Sequence, residues 1–172
     1  MADAPFFIEP LAAAHDRSRF VSGSNALDRY LREQASQDMR RRIATCFVAL
    51  STESAEVVGF YTLAATSVPL DALAPEVSRK FPRYPVVPAA LLGRLAIAQN
   101  QQGRGLGAAL LADALLRAAR AELAAFALIV DAKDEAAQRF YEHFGFALLP
   151  GEVRRLMLPM STALRLLGRK PL

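Results

Sequence analysis

The sequence predicts one mixed α/β domain spanning residues 1–172, with strands that come first as a meander and then alternate with helices. Two runs rich in β-branched and aromatic residues, 43–50 and 56–66, are typical of paired strands. Past the middle, an apolar run at 87–98 predicts a central strand that leads through a glycine-rich turn into a helix. Leucine and alanine residues spaced three and four apart place that helix at 106–123.

The remaining elements follow from caps, turn residues and apolar runs. They are, in chain order, a short helix at 10–20, a helix from a cap at Ser22 or Ser24 to about Arg41, a hairpin turn at 51–55, a short helix at 70–79, a buried strand at 126–131, a helix at 134–144 capped by Asp134 and stopped by Gly145, a hairpin or split strand at 147–149 and 154–160, and a basic tail helix at 161–172. This order excludes a dinucleotide-binding fold, whose glycine fingerprint follows the first strand and does not lie past the middle of the chain.

Positive charge in this chain is carried mainly by arginine. The net charge is +4, with 18 Arg against 3 Lys, and basic residues concentrate in 17–42, 79–104 and 153–172. Because a guanidinium group can make two hydrogen bonds to one phosphate, a nucleic-acid partner or an acidic protein partner is one interpretation. A solvated basic surface is the other. With 22% charged and 53% hydrophobic residues, the composition is that of a globular protein.

The sequence shows no sign of export or of membrane insertion, so we expect a cytoplasmic protein. No stretch approaches the roughly 18 uninterrupted apolar residues of a membrane span, and the N-terminus lacks the basic and apolar regions of a signal peptide. The one cysteine, Cys46, cannot form an internal disulfide, which fits a reducing compartment. No acid or base partner is evident near Cys46, so we expect a buried core residue there and not a nucleophile.

The most informative stretch is the loop at 102–107, which reads Q-G-R-G-L-G. Glycines allow the backbone to approach a phosphate, and the first N–H groups of the helix that follows are unpaired and carry partial positive charge. The loop therefore predicts a site for a phosphate-bearing cofactor. A P-loop is excluded, because no Gly-Lys-Ser/Thr sequence follows the glycines.

Two motifs resemble those of the GNAT family of N-acetyltransferases. Gln102, Gly105 and Gly107 fit its pattern Q/R-x-x-G-x-G/A, and residues 137–146 fit its pattern A-x-x-F-Y-x-x-x-G-F. The resemblance implies a GNAT fold, in which a central, mixed and mostly antiparallel sheet is flanked by helices. It also implies an enzyme that uses acetyl-coenzyme A (acetyl-CoA), with the cofactor pyrophosphate on the loop at 102–107, and no metal.

Further segments are similar to the acetyltransferase toxins of type II toxin–antitoxin modules. These segments are 20–31, 57–64, 84–85 and 92–96, and the likeness runs from about residue 8 to residue 160. The resemblance implies an enzyme that acetylates the α-amino group of aminoacyl-tRNA and so blocks translation. It further implies a ribbon-helix-helix antitoxin as partner, contact with operator DNA only through the antitoxin complex, and a homodimer. The apolar run at 86–92 also favours a dimer.

The resemblance also implies roles for individual residues. The cofactor is expected to contact the strand end, the loop and one later acid: Leu95, Ala96, Ile97, Gln102, Gly103, Arg104, Gly105, Leu106, Gly107 and Asp134. Asp131 and Lys133 are further candidates, with a capping role as the alternative for this segment. Tyr141 is the expected general acid for the leaving thiolate, since a phenol with a pKa of about 10 stays protonated at neutral pH. A core aromatic is the alternative for Tyr141.

No general base is evident in the sequence. His143 follows Tyr141 by two positions, on the other side of a regular helix, and His15 lies in an N-terminal helix or loop. An α-amino group titrates at about 7.7–8 and a lysine at about 10.4, so the missing base favours an α-amino acceptor. Arg94 is a candidate for tRNA phosphate contact, with an internal carboxylate partner as the alternative. The other candidates are Arg79, Lys80, Arg83 and the triplet Arg40, Arg41 and Arg42, for which a solvated helix end is the alternative.

Two other functions stay open at this point. The first is an N-acetyltransferase of a small amine or a protein N-terminus without toxicity, which would share the cofactor site and differ only in its acceptor. The second is a non-catalytic partner that binds nucleic acid or an antitoxin. The intact glycine loop and Tyr141 argue against the second.

Overall fold

The computed structural model describes residues 5–81 and 83–168. Its strands are β1 (Phe6–Pro10), β2 (Thr45–Ser51), β3 (Val57–Pro69), β4 (Val86–Ile97), β5 (Ala127–Asp131), β6 (Ala147–Leu148) and β7 (Arg155–Pro159). Its helices are α1 (Asn25–Arg29), α2 (Ala35–Arg40), α3 (Pro75–Ser78), α4 (Leu106–Arg120), α5 (Glu135–His143) and α6 (Met160–Leu166), with a π-helical turn at Tyr30–Gln34 and 3₁₀ turns at Leu70–Ala72 and Gln99–Gln101. The described strands form one sheet in the order β1-β2-β3-β4-β5-β7-β6.

Strand pairing is mixed and mostly antiparallel, which confirms the fold class that the resemblance implied. The pairs β1–β2, β2–β3, β5–β7 and β6–β7 are antiparallel, and β4 pairs with β5 in parallel. The predicted hairpin joins β2 to β3 through the polar tip at 51–55, where the Ala55 N–H donates to the Ser51 carbonyl at 2.9 Å. A bulge between Ala49 and Leu50 shifts the register of this pair.

The chain divides into two compact units that interleave along the sequence. The first comprises Met1–Ala64 and Gly93–Ala114, and the second comprises Ala65–Leu92 and Leu115–Leu172. Three elements, β3, β4 and α4, contribute residues to both units. The expectation of a single domain over 1–172 stays a prediction.

The core of the first unit contains side chains from α1, the π-helical turn, β2, β3 and the end of β4. Phe20 and Tyr30 pack their rings against Phe60, with centroids 5.6 and 6.3 Å apart. Cys46 belongs to this core at 1% exposure, as expected, and burial raises the pKa of its thiol to about 12. A neutral, inaccessible thiol is a packing residue and not a nucleophile.

Ser24 starts the first helical segment, as one of the two predicted caps. Its hydroxyl accepts the Leu27 N–H at 3.4 Å. Asp28 lies buried in the same turn and accepts hydrogen bonds from the Ser22 N–H at 3.0 Å and the Ser22 hydroxyl at 2.6 Å. These bonds stabilise the helix start and fix the chain that precedes it.

The core of the second unit forms around β5, whose first four residues are fully buried. Its parallel register with β4 runs from Ala89 opposite Ala127 to Leu92 opposite Val130. Continuous burial on both faces explains why this strand appears in the sequence as an unbroken apolar run.

The helix predicted at 10–20 is absent, and that prediction was wrong. Strand β1, which the sequence analysis missed, ends at Pro10, and the chain then passes through turns. Asp16 accepts hydrogen bonds from the Ser18 N–H at 2.9 Å and the Ser18 hydroxyl at 2.6 Å. Such a local side-chain bond offers the backbone an alternative to helical pairing.

Two other predicted helices differ in extent. The helix expected at 70–79 is split into Leu70–Ala72 and Pro75–Ser78, because the residue before a proline avoids the helical region and Ala74 has a ψ of 144°. The long helix ends at Arg120 and not near Leu123. The predicted tail helix is α6, and residues 169–172 of that prediction lie outside the described residues. Among the helices described, none combines the length and apolar character needed to span a bilayer.

Candidate active site

The loop at 102–107 joins β4 to α4 in the first unit and has the backbone of an anion site. Gly103 and Gly105 have φ angles of +76° and +84°, a region that favours glycine. A Cβ at either glycine would meet no atom within 4 Å, so the loop presents open backbone. Space for a ligand and access to peptide N–H groups are therefore both present.

The N-terminus of α4 supplies the donors. The first helical bond beyond the loop runs from the Ala109 N–H to the Gly105 carbonyl at 3.1 Å. The N–H groups of the preceding residues, Leu106 and Gly107 among them, have no partner within the helix and point along its positive end. The first turn carries no acidic residue, and Arg104 beside it is exposed. This arrangement fits a pyrophosphate.

Gln102 is exposed, and its side chain holds the loop in place. Its amide Nε2 donates to the Ile97 carbonyl at 3.0 Å and to the Ser22 carbonyl at 2.9 Å. The side chain thus ties the loop to the end of β4 and to the segment fixed by Asp28. The sequence motif identified Gln102 as a cofactor residue, and the structure gives its side chain a positioning role.

The end of β4 leads directly into this loop. Its pairing with β5 covers Ala89–Leu92, and the predicted cofactor residues Leu95, Ala96 and Ile97 lie beyond that register. Gly59 of β3 braces this stretch, since a Cβ there would lie 3.2 Å from the Ala96 carbonyl and 3.1 Å from Leu110. Gly59 was not among the site residues predicted from the sequence, although a glycine inside a strand is a recognisable sign of close backbone approach.

Tyr141 lies on α5 in the second unit and is 7% exposed. Its ring contacts Phe140 and Phe146 at centroid distances of 5.2 and 5.5 Å. Burial raises the pKa of its hydroxyl to about 12. Within the described part of the chain, this hydroxyl makes no hydrogen bond, and no buried side-chain oxygen is left without a partner, so the Tyr141 hydroxyl retains access to a ligand or solvent.

The acids near α5 have structural partners. Asp134 caps the helix by accepting the Ala137 N–H at 2.8 Å. Asp131 forms a bidentate ion pair with Arg155, whose Nε donates to Oδ1 at 2.8 Å and whose Nη2 donates to Oδ2 at 2.9 Å. The capping role that the sequence left open is present at Asp134, whereas the ion pair of Asp131 with Arg155 was not predicted.

Neither histidine is arranged as a base. The Nδ1 atom of His15 accepts the Ala12 N–H at 2.9 Å, and its Nε2 lies 2.6 Å from a Glu9 carboxylate oxygen. His143 is exposed, and its ring contacts Phe144. Both side chains stabilise local structure.

The predicted phosphate-binding residues are exposed cations in two groups. Arg40, Arg41 and Arg42 follow one another at the end of α2 in the first unit, while Arg79, Lys80 and Arg83 follow α3 in the second. Among the described residues none of these six side chains forms an ion pair. Unpaired surface cations of this kind suit a phosphate backbone.

Comparison with known proteins gives consistent similarities over nearly the whole chain. The family model described as acetyltransferase (GNAT) family matches residues 11–146. A tRNA-acetylating toxin of Mycobacterium tuberculosis is 39% identical over 160 residues, which cover 92% of this chain and 94% of that protein.

Solved structures are similar over the same extent. AtaT complexed with acetyl-methionyl-tRNAfMet has a TM-score of 0.86 at 34% identity and covers 95% of this chain and 99% of its own. A mutant AtaT toxin bound to the C-terminus of the antitoxin AtaR and to acetyl-CoA has a TM-score of 0.81 at 28% identity, with 96% and 100% covered.

Proposed function

Because the chain belongs to the acetyltransferase (GNAT) family, we propose that it transfers an acetyl group from acetyl-CoA to the α-amino group of aminoacyl-tRNA and so acts as a toxin that blocks translation. The observation that carries this proposal is the 39% identity to a tRNA-acetylating toxin over 92% of the chain. The solved complex of AtaT with an acetylated aminoacyl-tRNA supports the same acceptor.

Acetyl-CoA is held, in this proposal, by the loop and the strand before it. The open backbone at Gly103 and Gly105, the donors at the start of α4 and the charge of Arg104 bind the pyrophosphate. The peptide groups of Leu95–Ile97 in β4 bind the amide-rich arm. When bound, the cofactor supplies an acetyl thioester, from which the acetyl group passes to the amine as the thiol is released.

Tyr141 holds a proton for the leaving sulfur at its hydroxyl. A pKa of about 12 keeps that proton in place throughout the physiological range. The free hydroxyl has no competing acceptor among the described residues. General acid catalysis by a positioned group contributes roughly 10²–10⁴-fold to a rate.

The lack of a histidine base among the described residues favours an α-amino group as the acceptor. His15 is bonded to Ala12 and Glu9, and His143 is exposed with its ring against Phe144, so the described contacts assign neither histidine as a base for the attacking amine. An α-amino group, with a pKa of about 7.7–8, is neutral in a sizeable fraction of molecules near neutral pH and needs no strong base. A lysine side chain would need one.

We further propose a ribbon-helix-helix antitoxin as the partner, a cytoplasmic location, a homodimer, and contact with operator DNA through the antitoxin complex. The AtaT structure with the C-terminus of its antitoxin supports a protein inhibitor. The homodimer rests on the family resemblance, because the apolar run that favoured it is largely internal: Val87, Ala89 and Leu92 are buried, and Val86 is exposed.

The proposal is tested by incubating the purified protein with labelled acetyl-CoA and a total pool of charged tRNA, with deacylated tRNA as control. We expect label on charged tRNA only, and its loss with the Tyr141→Phe variant. Label on small amines or protein N-termini, with none on charged tRNA, would replace the proposed acceptor while leaving the cofactor site intact.

A further inference from the structure

Arg94 occupies an unusual position on β4. It directly precedes Leu95–Ile97, and because side chains alternate along a strand it shares a face with Ala96 and Ala98. Those two alanines belong to the core of the first unit, together with Tyr30. A cation is therefore placed at the edge of an apolar core, where removal from water is costly unless something compensates it.

The compensation comes from an aromatic ring. The guanidinium carbon of Arg94 lies 3.6 Å from the centroid of the Tyr30 ring, in the geometry of a cation–π contact. Tyr30 is itself fixed, since its hydroxyl donates to Asp38 at 2.9 Å and its ring stacks on Phe60. Burial, aided by the Asp38 bond, raises the pKa of Tyr30, so the ring stays neutral.

The ring covers one flat side of the guanidinium and leaves its N–H donors unused. Among the described residues Arg94 has no hydrogen bond and no carboxylate partner, so the internal ion pair considered from the sequence is not formed. Arg17 and Arg94 both lie close enough to Cys46 for their charges to lower its pKa. The two arginines differ in their hydrogen bonds, because Arg17 Nη1 donates to the Leu31 carbonyl at 2.9 Å and to the Ser36 hydroxyl at 3.0 Å. Arg17 is a structural arginine, and Arg94 is an oriented donor without an acceptor.

The free donors suit a phosphate outside the cofactor site. A planar guanidinium held in one orientation matches the oxygen geometry of a phosphodiester. At about 3.3 Å per residue, Arg94 precedes the end of β4 by roughly 10 Å, and the pyrophosphate loop lies further on. The anions of an aminoacyl-tRNA are its phosphates, because its amino acid is esterified.

We infer that Arg94, held flat on Tyr30, binds a phosphodiester near the 3′ end of the acceptor and positions the aminoacyl group for transfer. This inference rests on the proposed function and assigns a substrate-binding residue to it. The inference gives Arg94 a different role from the exposed arginines, which attract the tRNA phosphates by charge and hold them in no fixed orientation.

The test compares Arg94→Gln with Arg17→Gln in steady-state acetylation of charged tRNA over a series of salt concentrations. For Arg94→Gln we expect the KM for charged tRNA to rise roughly 10- to 100-fold with little change in the dissociation constant for acetyl-CoA. The slope of log KM against log salt should shrink by roughly 1, as for one lost phosphate contact. Arg17→Gln should lower the melting temperature and leave KM and the salt slope unchanged.

Each other outcome overturns the inference. If the wild type acetylates charged tRNA and Arg94→Gln has the same KM, the role of Arg94 is refuted while the proposed function stands. Weaker acetyl-CoA binding would assign Arg94 to the cofactor, and failure of the wild type to acetylate charged tRNA would refute the proposed function as well.

One variant keeps the test independent of folding. Arg94→Lys retains the charge and loses the planar guanidinium, so we expect an intermediate KM and an unchanged salt slope.

Discussion

At the scale of single residues, Tyr141 is the side chain on which the proposed reaction depends most. Its ring contacts Phe140 and Phe146, its hydroxyl makes no hydrogen bond among the described residues, and burial of the side chain raises its pKa to about 12. A group of this kind is always protonated under physiological conditions and is ready to donate. Its environment therefore supports the acid role implied by the motif.

We expect Tyr141→Phe to lower kcat by roughly 10²–10⁴-fold, because the leaving sulfur loses its proton donor while the ring packing is retained. The dissociation constant for acetyl-CoA should change little. In the wild type, kcat/KM should rise with pH as the acceptor amine loses its proton, and Tyr141 should cause no decline at any pH that the aminoacyl ester survives. Turnover assays with charged tRNA over a pH series measure kcat and kcat/KM, and isothermal titration with acetyl-CoA measures its dissociation constant.

Tyr84→Phe is the matched control, because it removes a tyrosine hydroxyl at a position that is 64% exposed. Its kcat should equal that of the wild type. Equal kcat values for Tyr141→Phe and Tyr84→Phe would remove Tyr141 as the acid.

Residue identities near the site were predictable from the sequence, but their partners were not. The spacing of Gln102, Gly105 and Gly107 and the position of Tyr141 are local patterns that the sequence displays. That the Gln102 amide reaches Ser22, or that Arg94 rests on Tyr30, depends on contacts between residues far apart in the chain. No local pattern encodes such pairs.

At the scale of elements, the loop between β4 and α4 makes the sharpest prediction. Gly105→Glu places a bulky anion on the open backbone of the proposed pyrophosphate site, so we expect loss of detectable acetyl-CoA binding. Isothermal titration with acetyl-CoA measures this directly.

Gly151→Glu provides the control, since Gly151 also has a positive φ, +77°, and also has no atom within 4 Å of an added Cβ. Both variants should lose a similar free energy of unfolding, about 1–2 kcal/mol for a side chain in the left-handed region. Only Gly105→Glu should lose cofactor binding. Equal cofactor affinity in the two variants would contradict the assignment of the loop.

Elements with a strong period or a clear cap were predicted well. The spacing of apolar residues in α4 and the caps at Ser24 and Asp134 are confirmed. The failure at 10–20 has a local cause, because Asp16 bonds to Ser18 and competes with helix formation. Composition alone does not reveal whether the Asp16–Ser18 turn or a helix is the more stable arrangement of this segment.

At the scale of the whole molecule, several buried groups make stability depend on alkaline pH. Burial raises the pKa of Cys46 from 9.0 to about 12 and that of Tyr141 from 10.0 to about 12, and it also raises the pKa of Tyr30. A pKa that is higher in the folded than in the unfolded state gives stability that is complete below the unfolded value and is lost as pH rises towards the folded value. The window here is pH 9 to about 12.

We therefore expect the free energy of unfolding to fall steadily above pH 9, because the unfolded chain releases these protons first. Urea denaturation at a series of pH values measures the slope. Cys46→Ala should flatten the part of the curve just above pH 9 most, because the thiol is the first of these groups to ionise in the unfolded chain. A free energy of unfolding that is constant from pH 9 to 11 would contradict the burial of these groups.

The fold as a whole could be predicted from the sequence because the two sequence motifs are specific. Alternation of strands and helices gave the mixed class, and the two motifs implied the family that the comparisons show. The division into two interleaved units was not predictable, because β3, β4 and α4 each run through both. Such a division depends on long-range contacts, and the amino-acid composition does not change along the chain where one unit passes into the other.

The position of the transferred acetyl group tests the central claim most directly. Charged tRNA should be incubated with the protein and acetyl-CoA, digested with a nuclease that releases the terminal adenosine with its amino acid, and analysed by tandem mass spectrometry. The account predicts adenosine esterified to an N-acetylated amino acid, present with the wild type and lost with Tyr141→Phe. Acetyl groups on a base, on a ribose hydroxyl or on uncharged tRNA would contradict it.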